Sequence, residues 1–320
     1  MKTIQIPDTD LVLAPVGMGC VKAGLKWDGP EADRIFDAYY DAGGNLYDTA
    51  RVYSDWIGPE RGRSERVLGD WLARSGKRNH IVICTKGGHP DMTVPQPDLH
   101  KSRLSPEEMR YDVEASLKTL RTDHIDIYIY HRDDETRPVS QLIDTMEEFV
   151  KEGKIRYYGC SNWSTGRMRE ADAYCKEKGL RGFVANQALY NIGEAAMNPP
   201  ADDTLQRMDA EMRRYHKENP GNLAMPYMSN CGGFFHKLLK GGREEAASSE
   251  YYTEGNLLVF EKLKGIMEEQ GCTMTQAVLG FFTGLPFAAL PLYGPRNEED
   301  IREVMKTFQI HWGKTYENDL

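Results

Sequence analysis

Four side chains in this sequence have the types that proton transfer at a carbonyl would need: Asp48, Tyr53, Lys86 and His131. Turning a carbonyl into an alcohol requires a hydride at carbon and a proton at oxygen, and Tyr53 is the candidate acid. A free phenol, with a pKa of ~10, is too weak an acid to exchange its proton easily near neutrality. An ammonium beside it favours the phenolate and lowers that pKa, and a carboxylate would hold the ammonium charged and in place. Lys86 and Asp48 supply that pair, and the His131 imidazole could hydrogen-bond the carbonyl oxygen and orient it. The plainer reading makes Asp48–Lys86 a structural ion pair, Tyr53 a loop aromatic and His131 a satisfied core histidine. A metal-dependent hydrolase would need three or four converging ligands, of which only Asp48 and His131 qualify. Schiff-base chemistry at Lys86 would leave Asp48 and Tyr53 without a purpose.

The elements that must position these residues alternate in type along the chain. Short β-branched or aromatic runs at 13–19, 45–49, 81–85, 125–130, 155–160, 183–187, 223–228 and 288–292 read as strands, after a short hairpin around residues 7–10. Amphipathic stretches at 31–42, 64–74, 106–120, 139–151, 165–177, 203–217, 273–283 and 298–306 read as helices. Ser105, Pro106, Glu107 and Glu108 give one of them a cap, a proline in the first turn and an acidic start. Eight such units predict an α/β fold, a (β/α)8 TIM barrel with a short N-terminal hairpin and long βα loops at its C-terminal face; an open doubly wound sheet is the alternative. In such a barrel function sits where strands end. Asp48, Lys86 and His131 fall there, as do Ser161, Asn162, Gln187, Ser229 and Arg296, and Tyr53 follows Asp48 by five residues.

Nothing marks a linker, so residues 1–320 are expected to form one domain. Segments 193–203 and 232–255, the latter carrying Gly232-Gly233 and Gly241-Gly242, are expected to be long loops over the barrel mouth. The net charge of −9 argues against nucleic-acid or anionic-membrane partners and favours a small molecule. The start of the chain has no signal-peptide pattern, which suggests the cytoplasm, and the six scattered cysteines read as reduced, buried fillers. Gly17-Met18-Gly19 is followed by Cys20-Val21-Lys22, so a GxGxxG dinucleotide turn is not supported. Asp133 and Asp134 read as solvated loop carboxylates.

The stretch Asn45-Leu46-Tyr47-Asp48-Thr49-Ala50-Arg51-Val52-Tyr53, then Gly62-Arg63-Ser64-Glu65 and Leu68-Gly69, resembles the first signature of the aldo-keto reductases. Further matches follow in the family's order: Thr85-Lys86, His131 after Asp126-Ile127-Tyr128-Ile129-Tyr130, Gly159-Cys160-Ser161-Asn162, and Asn186-Gln187. The resemblance implies an NAD(P)H-dependent reductase of aldehydes, ketones or sugar-type carbonyls, with Asp48, Tyr53, Lys86 and His131 in the roles reasoned above. It also implies NADPH, with NADH possible, bound at the barrel mouth.

On the same resemblance Ser161, Asn162 and Gln187 would hold the nicotinamide carboxamide, with Gly19, Cys20 and Asp48 close by. Tyr227 and Ser229 would meet the ring and pyrophosphate, and Gly294, Arg296 and Glu303 the adenosine phosphate. Here the sequence departs from its relatives. Asp300 would repel a 2′-phosphate that the planar fork of Arg296 would suit; Arg296 and Arg302 could instead belong to a solvated first helix turn and pair with its own Glu residues. Trp27, Trp56, Trp163, Phe234 and Trp312 are expected to ring a substrate pocket. The alternative function is a nicotinamide-binding redox sensor with little turnover.

Overall fold

The computed structural model describes residues 2–316. A two-stranded antiparallel hairpin, β1 (Ile4–Gln5) and β2 (Val12–Leu13), opens the chain. Eight parallel strands follow: β3 (Gly17–Gly19), β4 (Leu46–Asp48), β5 (Val82–Gly87), β6 (Ile125–Tyr130), β7 (Ile155–Ser161), β8 (Ala185–Gln187), β9 (Leu223–Ala224) and β10 (Leu292–Tyr293). They pair in chain order, and β10 returns to β3. The Leu290 amide donates to Ala224 O at 2.8 Å and the Leu292 amide to Pro226 O at 2.8 Å, which closes the ring between β9 and β10. This is the (β/α)8 barrel expected from the alternation of elements.

Strand side chains alternate with a period of two, and that period separates two cores. Leu46, Cys84, Ile127, Ile129, Ala185, Leu223 and Leu290 fill the barrel interior, and Ile6 and Leu11 of the hairpin segment belong to the same cluster. Tyr47, Ile83, Tyr128, Tyr130 and Cys160 point outward into the layer of helices. Two residues beyond Leu46, Cys84 and Ala185 on the same inward row stand Asp48, Lys86 and Gln187. The barrel therefore ends in a polar layer on top of an apolar one.

Among the described residues ten helices surround the strands: α1 (Gly29–Asp41), α2 (Arg63–Ser75), α3 (Pro106–Leu120), α4 (Val139–Lys151), α5 (Thr165–Lys178), α6 (Ala210–Glu218), α7 (Phe234–Ala246), α8 (Glu254–Gln270), α9 (Met274–Gly280) and α10 (Glu298–Thr307). Helix α3 starts where the sequence placed it, because Ser105 and Glu108 form a reciprocal capping box. Other boundaries differ. Pro15 and Pro226 bring no amide to a ladder, so the strand expected at 13–19 is divided between β2 and β3 and the one at 223–228 shrinks to Leu223–Ala224. The helix expected from 203 begins only at Ala210, where the Asp209 carboxylate accepts from Met212 N.

The largest correction concerns residues 232–255. Most of this segment is helix α7, which buries Phe234, Phe235 and Leu238 and kinks at Gly242 (φ +69°). Helix α8 follows, capped by Thr253 and ended by Gly271 in the left-handed region. Segment 193–203 has only a single 3-10 turn, Glu194–Ala196. No helix among the described residues is long and apolar enough to cross a membrane.

Candidate active site

The polar layer at the C-terminal end of the barrel is held by bonds between strand ends. The Thr49 amide donates to Cys84 O (2.8 Å) and the Arg51 amide to Lys86 O (3.0 Å), tying the loop after β4 to β5. Ser54 then takes a left-handed φ of +70°, with its hydroxyl on Ala23 O at 3.0 Å. Asn162 (φ +61°), Met228 (φ +55°) and Cys231 (φ +52°), which follow β7 and β9, share that backbone region. Such conformations cost about 1–3 kcal/mol each outside glycine and persist only where the surroundings impose them.

Within this frame Lys86 Nζ donates to Asp48 Oδ2 (2.8 Å), to Thr49 O (2.7 Å) and to the Tyr53 hydroxyl oxygen (3.1 Å). All three of its protons are thereby used. The other Asp48 oxygen accepts from Gln187 Nε2 at 2.7 Å. Because Tyr53 accepts from Lys86, its own proton is free to point elsewhere, and Tyr53 lines a cavity of about 640 Å³ at the barrel mouth. The His131 ring meets Tyr53 edge-on, with centroids 5.7 Å apart, and lies 4.7 Å from the His89 ring on another side.

Burial governs the electrostatics. It opposes the Lys86 ammonium, but Asp48 and Tyr53 outweigh it and hold Lys86 charged beyond the ordinary lysine range. Burial also pushes the Tyr53 phenol up; Lys86 pulls it back without cancelling the rise. The net lowering expected from the sequence is thus reversed, because desolvation of the phenolate exceeds the attraction of one ammonium. Burial, His89, Arg132 and Lys86 together keep His131 neutral, well below the usual imidazole value. His89 is pushed down to about 4 by burial and Arg132. The arrangement can present a neutral phenol and a neutral imidazole to one oxygen atom, with a fixed cation behind the phenol.

The cavity takes in Gly19, Asp48, Tyr53, His131, Ser161, Asn162, Gln187, Tyr227, Ser229, Gly294 and Arg296 among the expected residues. A Cβ at Gly19 would stand 3.3 Å from Gly294 N, so both glycines let the ends of β3 and β10 close together along the wall. Cys20 and Glu303 do not line the cavity: Cys20 is buried in the core, and the Glu303 carboxylate accepts from the Thr273 hydroxyl in the helix layer. Asn162 is fully engaged by the protein. Its Nδ2 donates to His131 O (3.2 Å) and Ser161 Oγ (3.0 Å), and its Oδ1 accepts from Gln206 N (3.1 Å) and from the Tyr227 hydroxyl (2.6 Å). The Ser229 hydroxyl is likewise spent on Leu292 O at 2.6 Å.

None of the five aromatics expected around a pocket lines this cavity. Trp27 packs edge-on against Phe36, Trp163 lies over Tyr130 and against Phe183, and Phe234 meets Phe235, all in the outer core. Trp312 is buried against Gly280, with its indole N–H on Thr307 O. Trp56 sits exposed on a 3-10 turn. Large rings are what the gap between strands and helices needs, and burial there outweighs exposure at a mouth. Asp133 is also not solvated: Arg167 grips both its oxygens, at 2.9 and 3.1 Å, while Asp134 pairs with Arg137.

Other cavity residues were not foreseen. His236, Lys237, Lys240 and Glu245 come from α7, in the segment whose sequence predicts a loop, and Lys22 and Arg132 complete the charged part of the wall. A pattern of Phe234, Phe235 and Leu238 on one helical face could have revealed them. All six cysteines are free and buried. Behind β5, Glu65 is fully buried, accepts from Thr85 Oγ1 at 2.7 Å, and is pushed by burial up to about 7.

The chain is 27% identical over 321 residues to the uncharacterized oxidoreductase YrpG of Bacillus subtilis, covering 98% of this chain and 93% of that one. It is 27% identical over 318 residues to an aryl-alcohol dehydrogenase of Pestalotiopsis microspora, covering 95% and 77% of the two chains. It is also 30% identical over 200 residues to an NADP(+) aryl-alcohol dehydrogenase of Phanerodontia chrysosporium, covering 58% and 50%. The model of the aldo/keto reductase family matches residues 15–315, and the chain belongs to that family of oxidoreductases.

Proposed function

We propose that the chain, acting as one domain, catalyses the reversible NAD(P)H-dependent reduction of a carbonyl to an alcohol, with Tyr53 as general acid and base. The observation that carries this reading is the position of Lys86 Nζ between Asp48 Oδ2 and the Tyr53 oxygen, with Tyr53 facing the cavity. A reduced nicotinamide dinucleotide, when bound, supplies the hydride. Its carboxamide suits the free Ser161 proton and the Gln187 carbonyl, and its ring suits the face of Tyr227. Asn162 orders this wall through Ser161 and Tyr227 rather than through a free group of its own. Arg296 at the cavity wall stands where the two dinucleotides differ, and the reductase reading holds for NADPH and NADH alike.

Tyr53 gives its O–H proton to the carbonyl oxygen as the alcohol forms. Lys86 then donates to the phenolate oxygen, which keeps that anion bearable in a buried setting, and Tyr53 regains its proton from water. His131 is neutral and donates one N–H to the same carbonyl oxygen, fixing its lone pairs toward Tyr53. Asp48 and Gln187 hold Lys86 in register. The names of the fungal relatives make aryl aldehydes the first substrates to test, with ketones and sugars beside them. The direct experiment is an equilibrium fluorescence titration with NADPH and NADH, followed by turnover of an aldehyde, ketone and sugar panel. Saturable binding with consumption of reduced dinucleotide supports the reading. Tight binding with no turnover across the panel favours a redox sensor instead.

A further inference from the structure

The wall of the cavity formed after β10 carries a feature that the proposed reaction does not use. Arg296 presents a guanidinium there, and Asp300 occupies it. Asp300 Oδ2 accepts from Arg296 Nε at 2.7 Å and from the Arg296 backbone amide at 2.8 Å, while Oδ1 accepts from Nη2 at 2.6 Å. The carboxylate is almost fully buried, at 4% exposure, and its backbone is pinned by Asn297 Oδ1, which accepts from Asp300 N at 2.9 Å. Asp300 lies in the first turn of α10, where the helix N-terminus favours a negative charge. The fold therefore fixes Asp300, while the Arg296 side chain that it holds stays largely exposed at the cavity wall.

Resting on the reductase reading above, we infer that Asp300 is a specificity-determining residue: by filling the bidentate edge of Arg296, it turns this cavity toward a dinucleotide with a free 2′-hydroxyl and away from one with a 2′-phosphate. A phosphate monoester binds arginine best through two parallel N–H bonds. Here the Nε–Nη2 edge is taken, and a phosphate reaching for the remaining Nη1 would approach the Asp300 carboxylate. A ribose hydroxyl meets no such repulsion and can donate to a carboxylate, as in other dinucleotide sites. Lys22, the nearby cation, spends two donors on Gly294 O (2.7 Å) and Pro295 O (3.3 Å). Lys237 and Lys240 on α7 provide positive charge for the pyrophosphate that both dinucleotides share.

The test is equilibrium titration of the full chain with NADH and NADPH at one fixed salt concentration, for wild type, Asp300→Asn and Arg296→Ala. Wild type should bind NADH at least as tightly as NADPH. Asp300→Asn should tighten NADPH by about tenfold while leaving NADH within about threefold, because the carboxylate that neutralises the fork and repels a 2′-phosphate is gone. Should Asp300→Asn fail to fold, Arg296→Ala carries the test. With the guanidinium already neutralised, its loss should change NADPH affinity by less than about threefold, and a loss of about tenfold or more overturns the inference. A wild type that prefers NADPH by about tenfold, or an unchanged ratio in Asp300→Asn, also overturns it while leaving the reductase reading intact. Binding of neither dinucleotide to wild type overturns both.

Discussion

Lys86 Nζ stands 3.1 Å from the Tyr53 oxygen and donates its hydrogen bond to it, so the phenol keeps its own proton for the cavity. One contact thus fixes both the direction of the acidic proton and the cation that will face the anion left behind. The contact exists because Asp48 and Lys86 point inward at the ends of neighbouring strands and Tyr53 is returned over them by the turn in which its amide donates to Ala50 O at 3.1 Å.

Removing the cation should reveal both of its duties. Lys86→Met leaves Asp48 buried with only Gln187 as a partner, which should cost about 3–5 kcal/mol of stability. It also removes both the charge and the hydrogen bond by which Lys86 pulls the Tyr53 phenol down. Denaturant unfolding should show the lost stability, and residual reduction should fall by about 100-fold or more. Near wild-type stability in this variant would contradict a buried, mutually compensating pair.

The pH dependence of reduction follows from the two neutral groups. Tyr53 is held above its usual value of 10.0 and His131 well below 6.5, so neither changes charge between them. The pH profile of kcat/KM should show no inflection near 6.5 from His131, and it should fall only at strongly alkaline pH, where the phenol is lost. A limb centred near 6.5 that disappears in His131→Gln would show that His131 titrates in the active enzyme.

Glu65 ties pH to stability behind the site. Its folded pKa of about 7 lies above the ordinary 4.5, so the folded chain binds this proton more tightly than the unfolded chain. The associated stability is present below about 4.5 and is lost as pH rises through about 7. Glu65→Gln cannot ionise, so the variant should gain on wild type by up to about 3 kcal/mol between pH 5 and pH 8. Parallel stability curves for the two proteins over that range would rule this out.

The buried tryptophans make a contrasting case. Trp312→Phe and Trp163→Phe each remove an indole N–H that donates to a backbone carbonyl, Thr307 O and Arg132 O respectively. Each should lower stability by about 1–3 kcal/mol, through the lost hydrogen bond and packing, while KM changes by less than about threefold. A large KM effect with unchanged stability would return these rings to a substrate pocket.

The pattern of legibility has a physical basis. Strand-end residues such as Asp48, Lys86 and Gln187 could be read from sequence because an apolar run that ends in a charged or amide side chain marks both the strand and the end of its apolar layer. Ser105–Glu108 was legible because a capping box is local. Helix α7 was not, because Gly232-Gly233 and Gly241-Gly242 punctuate the sequence like a loop, whereas tertiary burial of Phe234, Phe235 and Leu238 overrides that local preference. The tryptophans misled because an aromatic residue type does not say which face of an element it occupies. The Arg296–Asp300 pair sits at i,i+4 spacing, a signal present in the sequence, but whether it closes on itself or opens to a ligand depends on burial.

The most direct test of the account compares wild type with Tyr53→Phe in two assays on the same preparations: equilibrium binding of reduced dinucleotide, and reduction of whichever carbonyl the wild-type panel identifies. Binding should be equal within about threefold, while turnover should fall by about 10²–10⁴-fold because the proton donor is gone and the Lys86 frame is not. Wild-type turnover in Tyr53→Phe would remove Tyr53 from the role of acid and contradict the central claim.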